Sequence, residues 1–362
     1  MKFAPLLLST TLLAAASGPA LADAPNVVVS IKPIHSLVAA IMHGVGEPGL
    51  IVDGAASPHT YALKPSNAAA LQDADLIFWV GHGLEAFLEK PLEALGTGAT
   101  IVELEDAPGL EKLKFREGGA FEAHDHEAEG HAHEAEGHDH QAESHETDNH
   151  EAEGGGHNHE AAASHDHAGE DGHAAESGEA HAHDHAHEGG YDTHLWLDPM
   201  NAKAMATAIE AALAKADPDN AATYKANLAA LDANIDALDT EIAATLAPVK
   251  DKPFVVFHDA YQYFEHRYGV RVVGSITVSP ETMPGAERVS EIRGKVTGLG
   301  AACVFAEPQF EPKIVNVVLE GTAAKAGTLD PEAGTLAAGP ALYFDMMRGL
   351  ATSMKDCLSG AN

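Results

Sequence analysis

The sequence predicts an α/β protein made of two βα lobes with parallel sheets, joined by a long, rigid backbone helix. Three observations support this class. Short apolar runs alternate with helical patterns before residue 105 and again after residue 253, an order that is typical of βαβ units. A long Ala/Leu-rich pattern with apolar residues three and four positions apart lies between these two sets, and this spacing indicates a helix. A polar, histidine-rich segment interrupts the first set.

The apolar runs and helical patterns define the elements of each lobe. In the first lobe we expect strands at 26–31, 50–52, 75–80 and 100–104, and helices at 33–43, 65–74, 84–95 and 201–215. In the second lobe we expect strands at 254–257, 270–276, 302–306 and 327–329, and helices at 260–268, 286–299, 312–326 and 343–358. The domain bounds are therefore 23–216 for the first lobe with an insert at 117–190, 217–248 for the linking helix, and 249–362 for the second lobe.

The first 22 residues have the pattern of a secretory signal peptide. Lys2 supplies a positive end, residues 6–16 are apolar, and Ala20 and Ala22 fit the small-x-small cleavage pattern. We expect the mature protein to begin at Asp23 and to be periplasmic. The apolar stretch is too short to span a bilayer, and no later segment reaches the necessary length.

The charge and histidine content point to cations as ligands. The chain carries a net charge of -34 and 24 histidines, so nucleic acid is an unsuitable partner, whereas imidazole is the most common metal-binding side chain. Between residues 117 and 192 there are 17 histidines and 22 acids with no Lys or Arg. This segment lacks the apolar side chains that a core needs, so we expect a solvated insert that collects metal weakly. Its clearest ligand pairs are His124, His126, His131, His133, His138, His140, His181, His183, His185 and His187.

A metal site is predicted by the ends of the strands. Ligands of open α/β sheets bind outside the carboxyl ends of the strands. His59, His258 and Asp330 follow predicted strands, and His194 lies where the insert returns to apolar sequence. Three imidazoles and one carboxylate suit tetrahedral Zn²⁺, and we expect affinity to fall below about pH 6 because bound imidazoles must be unprotonated. His35 and His82 also lie near strand ends, as candidates for lining the cleft.

Two other interpretations concern the cysteines and catalysis. Cys303 and Cys357 are the only cysteines, and in an oxidising compartment such a pair most simply forms a disulfide. A zinc hydrolase would also use three protein ligands and water, but the sequence has no His-Glu-x-x-His helix. We therefore expect a binding protein rather than an enzyme.

Several long stretches resemble the zinc-specific solute-binding proteins of bacterial ABC transporters, the ZnuA type. They are residues 57–88, DTHLWLDP from Asp192, VVFHDAYQYFE from Val255, CVFAEPQF from Cys303 and GTLDP from Gly327. The resemblance implies a zinc ion in the interlobe cleft, delivered to an inner-membrane permease with a cytoplasmic ATPase. Nothing in the sequence marks an exposed apolar face, so we expect a monomer. His59, His194 and His258 fall on the family's histidine ligands, Asp330 on its variable fourth ligand, and the two cysteines on a disulfide of some members.

The sequence departs from the family pattern at two positions. Some members have Glu before the first histidine ligand, where this chain has Pro58, and a secondary-site histidine of some relatives is replaced in the region of Ser275. The manganese-binding branch of the fold uses Glu where His258 stands, and imidazole favours zinc over manganese, although copper or nickel also accept imidazole. A zinc buffer or a metal-dependent adhesin, acting without a permease, would share the same ordered chain.

Overall fold

The computed structural model describes residues 24–116, 121, 190–277, 284–310 and 313–360. The expected signal peptide at 1–22 and all ten auxiliary histidines of the insert lie outside these described residues. Within the described part of the chain, no helix combines the length and the apolar character that crossing a membrane requires.

The first lobe is built on a parallel sheet with the strand order β2-β1-β3-β4. Its strands are β1 (Val27–Val29), β2 (Gly49–Leu50), β3 (Leu76–Trp79) and β4 (Thr100–Glu103). Its helices are α1 (Lys32–Ile41), α2 (Pro65–Gln72), α3 (Glu89–Leu95) and α4 (Pro199–Ala216). The central strands β1 and β3 are fully buried, as strands covered on both faces of a parallel sheet must be.

The second lobe repeats this arrangement with the strand order β6-β5-β7-β8, also parallel. Its strands are β5 (Pro253–His258), β6 (Arg271–Thr277), β7 (Cys303–Ala306) and β8 (Lys325–Thr328). Its helices are α6 (Gln262–Tyr268), α7 (Ala286–Gly298), α8 (Lys313–Leu319) and α9 (Leu342–Ser359). The two parallel sheets confirm the fold class that the sequence predicts.

The long helix α5 (Ala221–Leu246) runs between the lobes. At 1.5 Å per residue it is about 39 Å long. Its buried stripe consists of Tyr224, Leu231, Ile235, Leu238, Ile242 and Leu246, and it packs against α1, α4 and α9. It therefore contacts helices on both sides of the linker, as a rigid backbone requires.

Some element boundaries differ from the sequence-based expectation. The helix expected at 312–326 ends at Leu319, because Gly321 adopts a left-handed conformation with φ 75°, which glycine accommodates without strain. The chain then enters β8 at Lys325, two residues earlier than expected. The helix expected at 84–95 is divided, with a short 3₁₀ turn at Ala86–Leu88 ahead of α3.

The alternation of side chains along β5 and β7 divides the core into two layers. Phe254 and Val256 face the large core that includes the linking helix, whereas Val255 and Phe257 face a smaller core beneath α7 and α8. This is the two-residue period of a strand. The expected disulfide is present between Cys303 of β7 and Cys357 of α9, so it joins the sheet to the last helix.

Candidate metal centre

His59 lies on a short 3₁₀ turn, Pro58–Thr60, that follows β2. Pro58 is buried at the start of this turn, and the hydroxyl of Ser57 accepts a hydrogen bond from the backbone N–H of His59 at 3.3 Å. Proline in the first position and a serine cap are both favourable for a helical turn. The local sequence therefore holds the backbone of His59, while the residue stays partly exposed.

His194 is held by the residues on either side of it. The carboxylate oxygen Oδ1 of Asp192 accepts hydrogen bonds from the backbone N–H of His194 at 3.0 Å and from its ring Nδ1 at 2.7 Å. On the other side the turn Leu195–Leu197 is fully buried, and Asp198 caps α4. The ring thus has a fixed orientation, with Nε2 directed away from Asp192.

His258 is the last residue of β5 and is almost completely buried. Its Nδ1 lies 2.6 Å from Oε2 of Glu307, which directly follows β7, the neighbour of β5 in the sheet. Glu307 also accepts a hydrogen bond from the hydroxyl of Tyr261 at 3.3 Å. A carboxylate on Nδ1 fixes the proton on that nitrogen and leaves the Nε2 lone pair available to a metal.

The three histidines converge on one point. Nε2 of His194 lies 3.3 Å from Nε2 of His59 and 3.3 Å from Nε2 of His258. Among the described residues, these three form the group suited to a metal, with all ligand atoms within 4.8 Å of one another. With Nδ1–H donated to carboxylates, at least two of the Nε2 lone pairs face each other, and a cation between them removes this repulsion.

Proton affinities differ between His59 and His258. Burial and the neighbouring His194 and His258 lower the pKa of His59 well below its ordinary value. Burial also opposes the charged form of His258, but the carboxylates of Glu307, Asp259 and Asp192 together outweigh it and raise the pKa of His258. His59 is therefore ready to bind a metal at neutral pH, whereas His258 is the ring at which protons compete.

Asp330, the expected fourth ligand, is not part of the three-histidine group. Asp330 follows β8, and its carboxylate accepts hydrogen bonds from the Gln309 side chain and from its own loop. Oδ1 accepts from Gln309 Nε2 at 2.8 Å and from the Gly334 N–H at 2.9 Å. Oδ2 accepts from the N–H and hydroxyl of Thr335 at 3.0 and 2.8 Å.

The remaining histidine candidates lie elsewhere. The buried ring of His35 has its Nε2 3.0 Å from the Pro48 carbonyl oxygen. His82 is partly exposed, with its ring nitrogens near the carboxylates of Glu89 and Glu103 at 3.3 and 3.7 Å. Neither joins the three-histidine group, so neither lines the metal position.

Sequence reasoning missed the two carboxylates behind the ligands, Asp192 and Glu307. A signal for Glu307 was present, because it directly follows a predicted strand and so satisfies the rule that singled out His258. Asp192 has a weaker signal, two positions before a predicted ligand at the edge of the insert.

Two parallel α/β lobes joined by a long helix, with three imidazoles converging from both lobes, define the class of two-lobed solute-binding proteins that hold a metal ion. Residues 27–357 match the ZnuA family, described as zinc-uptake complex component A, periplasmic. The chain belongs to this family, which is one of transport proteins, so the hydrolase interpretation does not apply.

Individual relatives support this assignment. The chain is 53% identical over 355 residues to the high-affinity zinc uptake system protein ZnuA of Brucella suis, covering 98% of both chains. It is 34% identical to the protein of the same name from Yersinia pestis, covering 92% of this chain and 91% of the relative. The periplasmic zinc-binding protein TroA from Treponema pallidum has a similar fold, with a TM-score of 0.68 and 18% identity, covering 92% of this chain and 99% of that one.

Proposed function

We propose that this protein captures Zn²⁺ in the periplasm and delivers it to the permease of an ABC-type uptake system. The observation that carries the proposal is the convergence of three Nε2 atoms, two of them from rings oriented by buried carboxylates. Three neutral imidazoles suit zinc better than manganese. The relatives named above for zinc uptake support the same ion.

The fourth position is proposed for Asp330. Its carboxylate now accepts four hydrogen bonds, three from its own loop and one from the Gln309 side chain, so it would reach the ion by giving up at least one of them. Water fills the position if the loop stays as it is. Both arrangements give zinc four ligands, all from the protein in the first case and three histidines with one water in the second. The zinc affinity of Asp330→Asn, compared with that of the unsubstituted protein, distinguishes them.

The histidines of the insert are proposed as a low-affinity collector. Pairs such as His124 with His126 and His181 with His183, flanked by carboxylates, would raise the local zinc concentration and exchange the ion quickly. Docking of the loaded, monomeric protein on an inner-membrane permease with a cytoplasmic ATPase completes the proposed cycle. Growth in zinc-poor medium that depends on both this protein and the permease would separate uptake from simple zinc buffering.

The test is a zinc titration by calorimetry on the full chain and on a variant lacking residues 117–189. The deletion is practicable because the N–H of Phe115 donates to the carbonyl of Gly190 at 3.4 Å, so the two ends are already adjacent. Each protein is measured with and without His59→Ala. His43→Ala, which removes an exposed imidazole outside the site, is the matched control.

We expect one tight zinc site that survives the deletion, disappears with His59→Ala and is unaffected by His43→Ala. Parallel titrations with Cu²⁺, Ni²⁺ and Mn²⁺ give the selectivity. Tight binding that is lost with residues 117–189 and ignores His59 would make the insert the functional module and overturn the cleft as the capture site.

A further inference from the structure

The two ends of the insert form a short antiparallel stem, residues 112–116 and 190–192. Lys114 and Tyr191 pair as a β-bridge, and the N–H of Asp192 donates to the Leu113 carbonyl at 2.9 Å. The stem belongs to the chain of the first lobe, yet it lies against α6 of the second lobe. For example, the side-chain amide of Gln262 donates to the Lys114 carbonyl at 3.0 Å.

Tyr263 of α6 links the stem to the ligand His194. Its side chain is almost fully buried. The hydroxyl accepts a hydrogen bond from the Leu113 N–H at 3.1 Å and donates to the Asp192 carbonyl at 2.7 Å. Because the carboxylate of Asp192 holds both the backbone and the ring of His194, a residue of the second lobe supports a ligand of the first.

Arg116 of the stem makes the reciprocal link. Its guanidinium donates to both carboxylate oxygens of Asp259, with Nε at 3.1 Å from Oδ2, and to Glu265 at 3.0 Å. The side chains of Asp259 and Glu265 are only 6% and 12% exposed. Asp259 directly follows His258, so a residue of the first lobe fixes the loop that begins at a ligand of the second.

We infer that Arg116 and Tyr263 are positioning residues for the zinc site, each acting across the cleft on a ligand of the opposite lobe. The two links cross, because Tyr263 acts through Asp192 on His194 and Arg116 acts through Asp259 on His258. Metal affinity depends on ligands being held in place before the ion arrives, and partners behind the ligands influence it by about tenfold to a hundredfold. This inference rests on the proposed zinc function.

The experiment measures zinc affinity by chelator competition, and zinc release by chelator trapping, on the His59-dependent site of the full-length protein. Tyr263→Phe and Arg116→Met are compared with the unsubstituted protein. We expect each to weaken binding about tenfold and to speed zinc release, while the far-ultraviolet circular dichroism stays the same. Arg116→Lys keeps the charge but loses the planar fork, so it is expected to recover part of the loss.

The matched control is Arg267→Met on the same helix α6. Arg267 pairs instead with Asp239 of the linking helix α5, with Nε 2.9 Å from Oδ1. A double variant, Arg116→Met with Asp259→Asn, tests the route, because the Arg116 substitution is expected to add little once its target carboxylate is gone.

Unchanged affinity in both Tyr263→Phe and Arg116→Met overturns the inference. An equal loss in Arg267→Met, or an Arg116 effect that persists undiminished in Asp259→Asn, also overturns it, since either shows general destabilisation. If Arg116→Met does not fold, Tyr263→Phe, which removes one hydroxyl, decides by itself. Absence of a tight His59-dependent site in the unsubstituted protein would instead refute the proposed function before the variants are compared.

Discussion

Each buried carboxylate that contacts a ligand imidazole is stabilised by that contact and also orients the imidazole. The side chains of Asp192 and Glu307 are 2% and 1% exposed, and a buried charge is costly unless it is paired and hydrogen-bonded. The imidazole Nδ1–H groups supply that pairing. In return the carboxylates fix the tautomer and increase the basicity of Nε2, so the same contact stabilises the acid and prepares the ligand.

Glu307→Gln tests this dependence. A neutral amide no longer favours the tautomer with the proton on Nδ1, so we expect zinc affinity to fall about tenfold to a hundredfold, measured by competition with a chelator. Glu291→Gln is the control, because Glu291 is an exposed acid on α7 that pairs with Arg288 and Lys295. Unaltered affinity in Glu307→Gln would mean that the backbone alone positions His258.

A second residue-scale prediction concerns Glu85, which is fully buried. Burial raises its pKa from 4.5 to about 7, despite hydrogen bonds from Ser30, Val80 and Gly81. The folded state therefore binds more protons than the unfolded state between these pH values. The contribution of Glu85 to stability is fully present below about pH 4.5 and falls, by about 3 kcal/mol, as pH rises through 7.

Glu85→Gln is expected to remove this fall in the free energy of unfolding with rising pH. Urea unfolding of the zinc-free protein at pH 5.5 and pH 8 measures it, and the difference between the two pH values should shrink in the variant. If the unsubstituted protein and the variant lose the same stability between pH 5.5 and pH 8, Glu85 stays ionised in the folded state.

At the scale of elements, β7 and α9 are joined by both packing and a covalent bond. Phe305 of β7 faces the large core, to which α9 contributes Tyr343, Met347, Leu350 and Met354. The disulfide between Cys303 and Cys357 closes a loop of 54 residues, which the chain-entropy estimate values at about 4 kcal/mol. No ligand lies on either element, so the bond supports the fold rather than the site.

Replacing both cysteines with alanine should therefore separate stability from binding. We expect the free energy of unfolding to fall by about 4 kcal/mol in urea denaturation, while zinc affinity changes less than twofold. The unsubstituted protein with its disulfide reduced is the second comparison, because it breaks the covalent bond without replacing either side chain. A large loss of zinc affinity in the double variant would show that the disulfide also positions the end of β7, where Glu307 lies.

At the scale of the molecule, the lobes are connected near the metal centre as well as through α5. The buried ammonium of Lys32 in the first lobe donates to the carbonyls of Ala333, Gly334 and Leu336 at 3.3, 3.1 and 2.8 Å. The indole N–H of Trp196 donates to the Pro331 carbonyl at 2.9 Å. These bonds fasten the loop after β8 to the opposite lobe, and wide opening would break them.

We therefore expect zinc binding to order loops and tilt the lobes slightly, without wide closure. Small-angle scattering should give the same radius of gyration, within error, for the zinc-free and zinc-bound forms of the variant lacking residues 117–189. The deletion is needed because a change in the size of the insert on zinc binding would hide any change in the radius of gyration that comes from the lobes. A large decrease on adding zinc would contradict the rigid arrangement.

The fold was largely predictable because its signals are local. Apolar runs predicted each strand found in the described residues, and boundaries were missed mainly where a single residue intervenes, as Gly321 does at the end of α8. The three histidines followed from strand ends and the edge of the insert. Glu307 also lies at a strand end, but its pairing with His258 across 49 residues and that of Arg116 with Asp259 across 143 residues did not follow. Such pairs arise from tertiary packing, which spacing alone does not encode.

The last helix also bears on the order in which the chain folds. The large core combines α1 and α4 of the first lobe with α9 near the C-terminus, and the Tyr343 N–H at the start of α9 donates to the hydroxyl of Ser36 in α1 at 3.0 Å. During synthesis from the N-terminus the first lobe therefore emerges with an apolar surface that only the final residues cover. We therefore expect truncation before α9 to leave a product prone to aggregation.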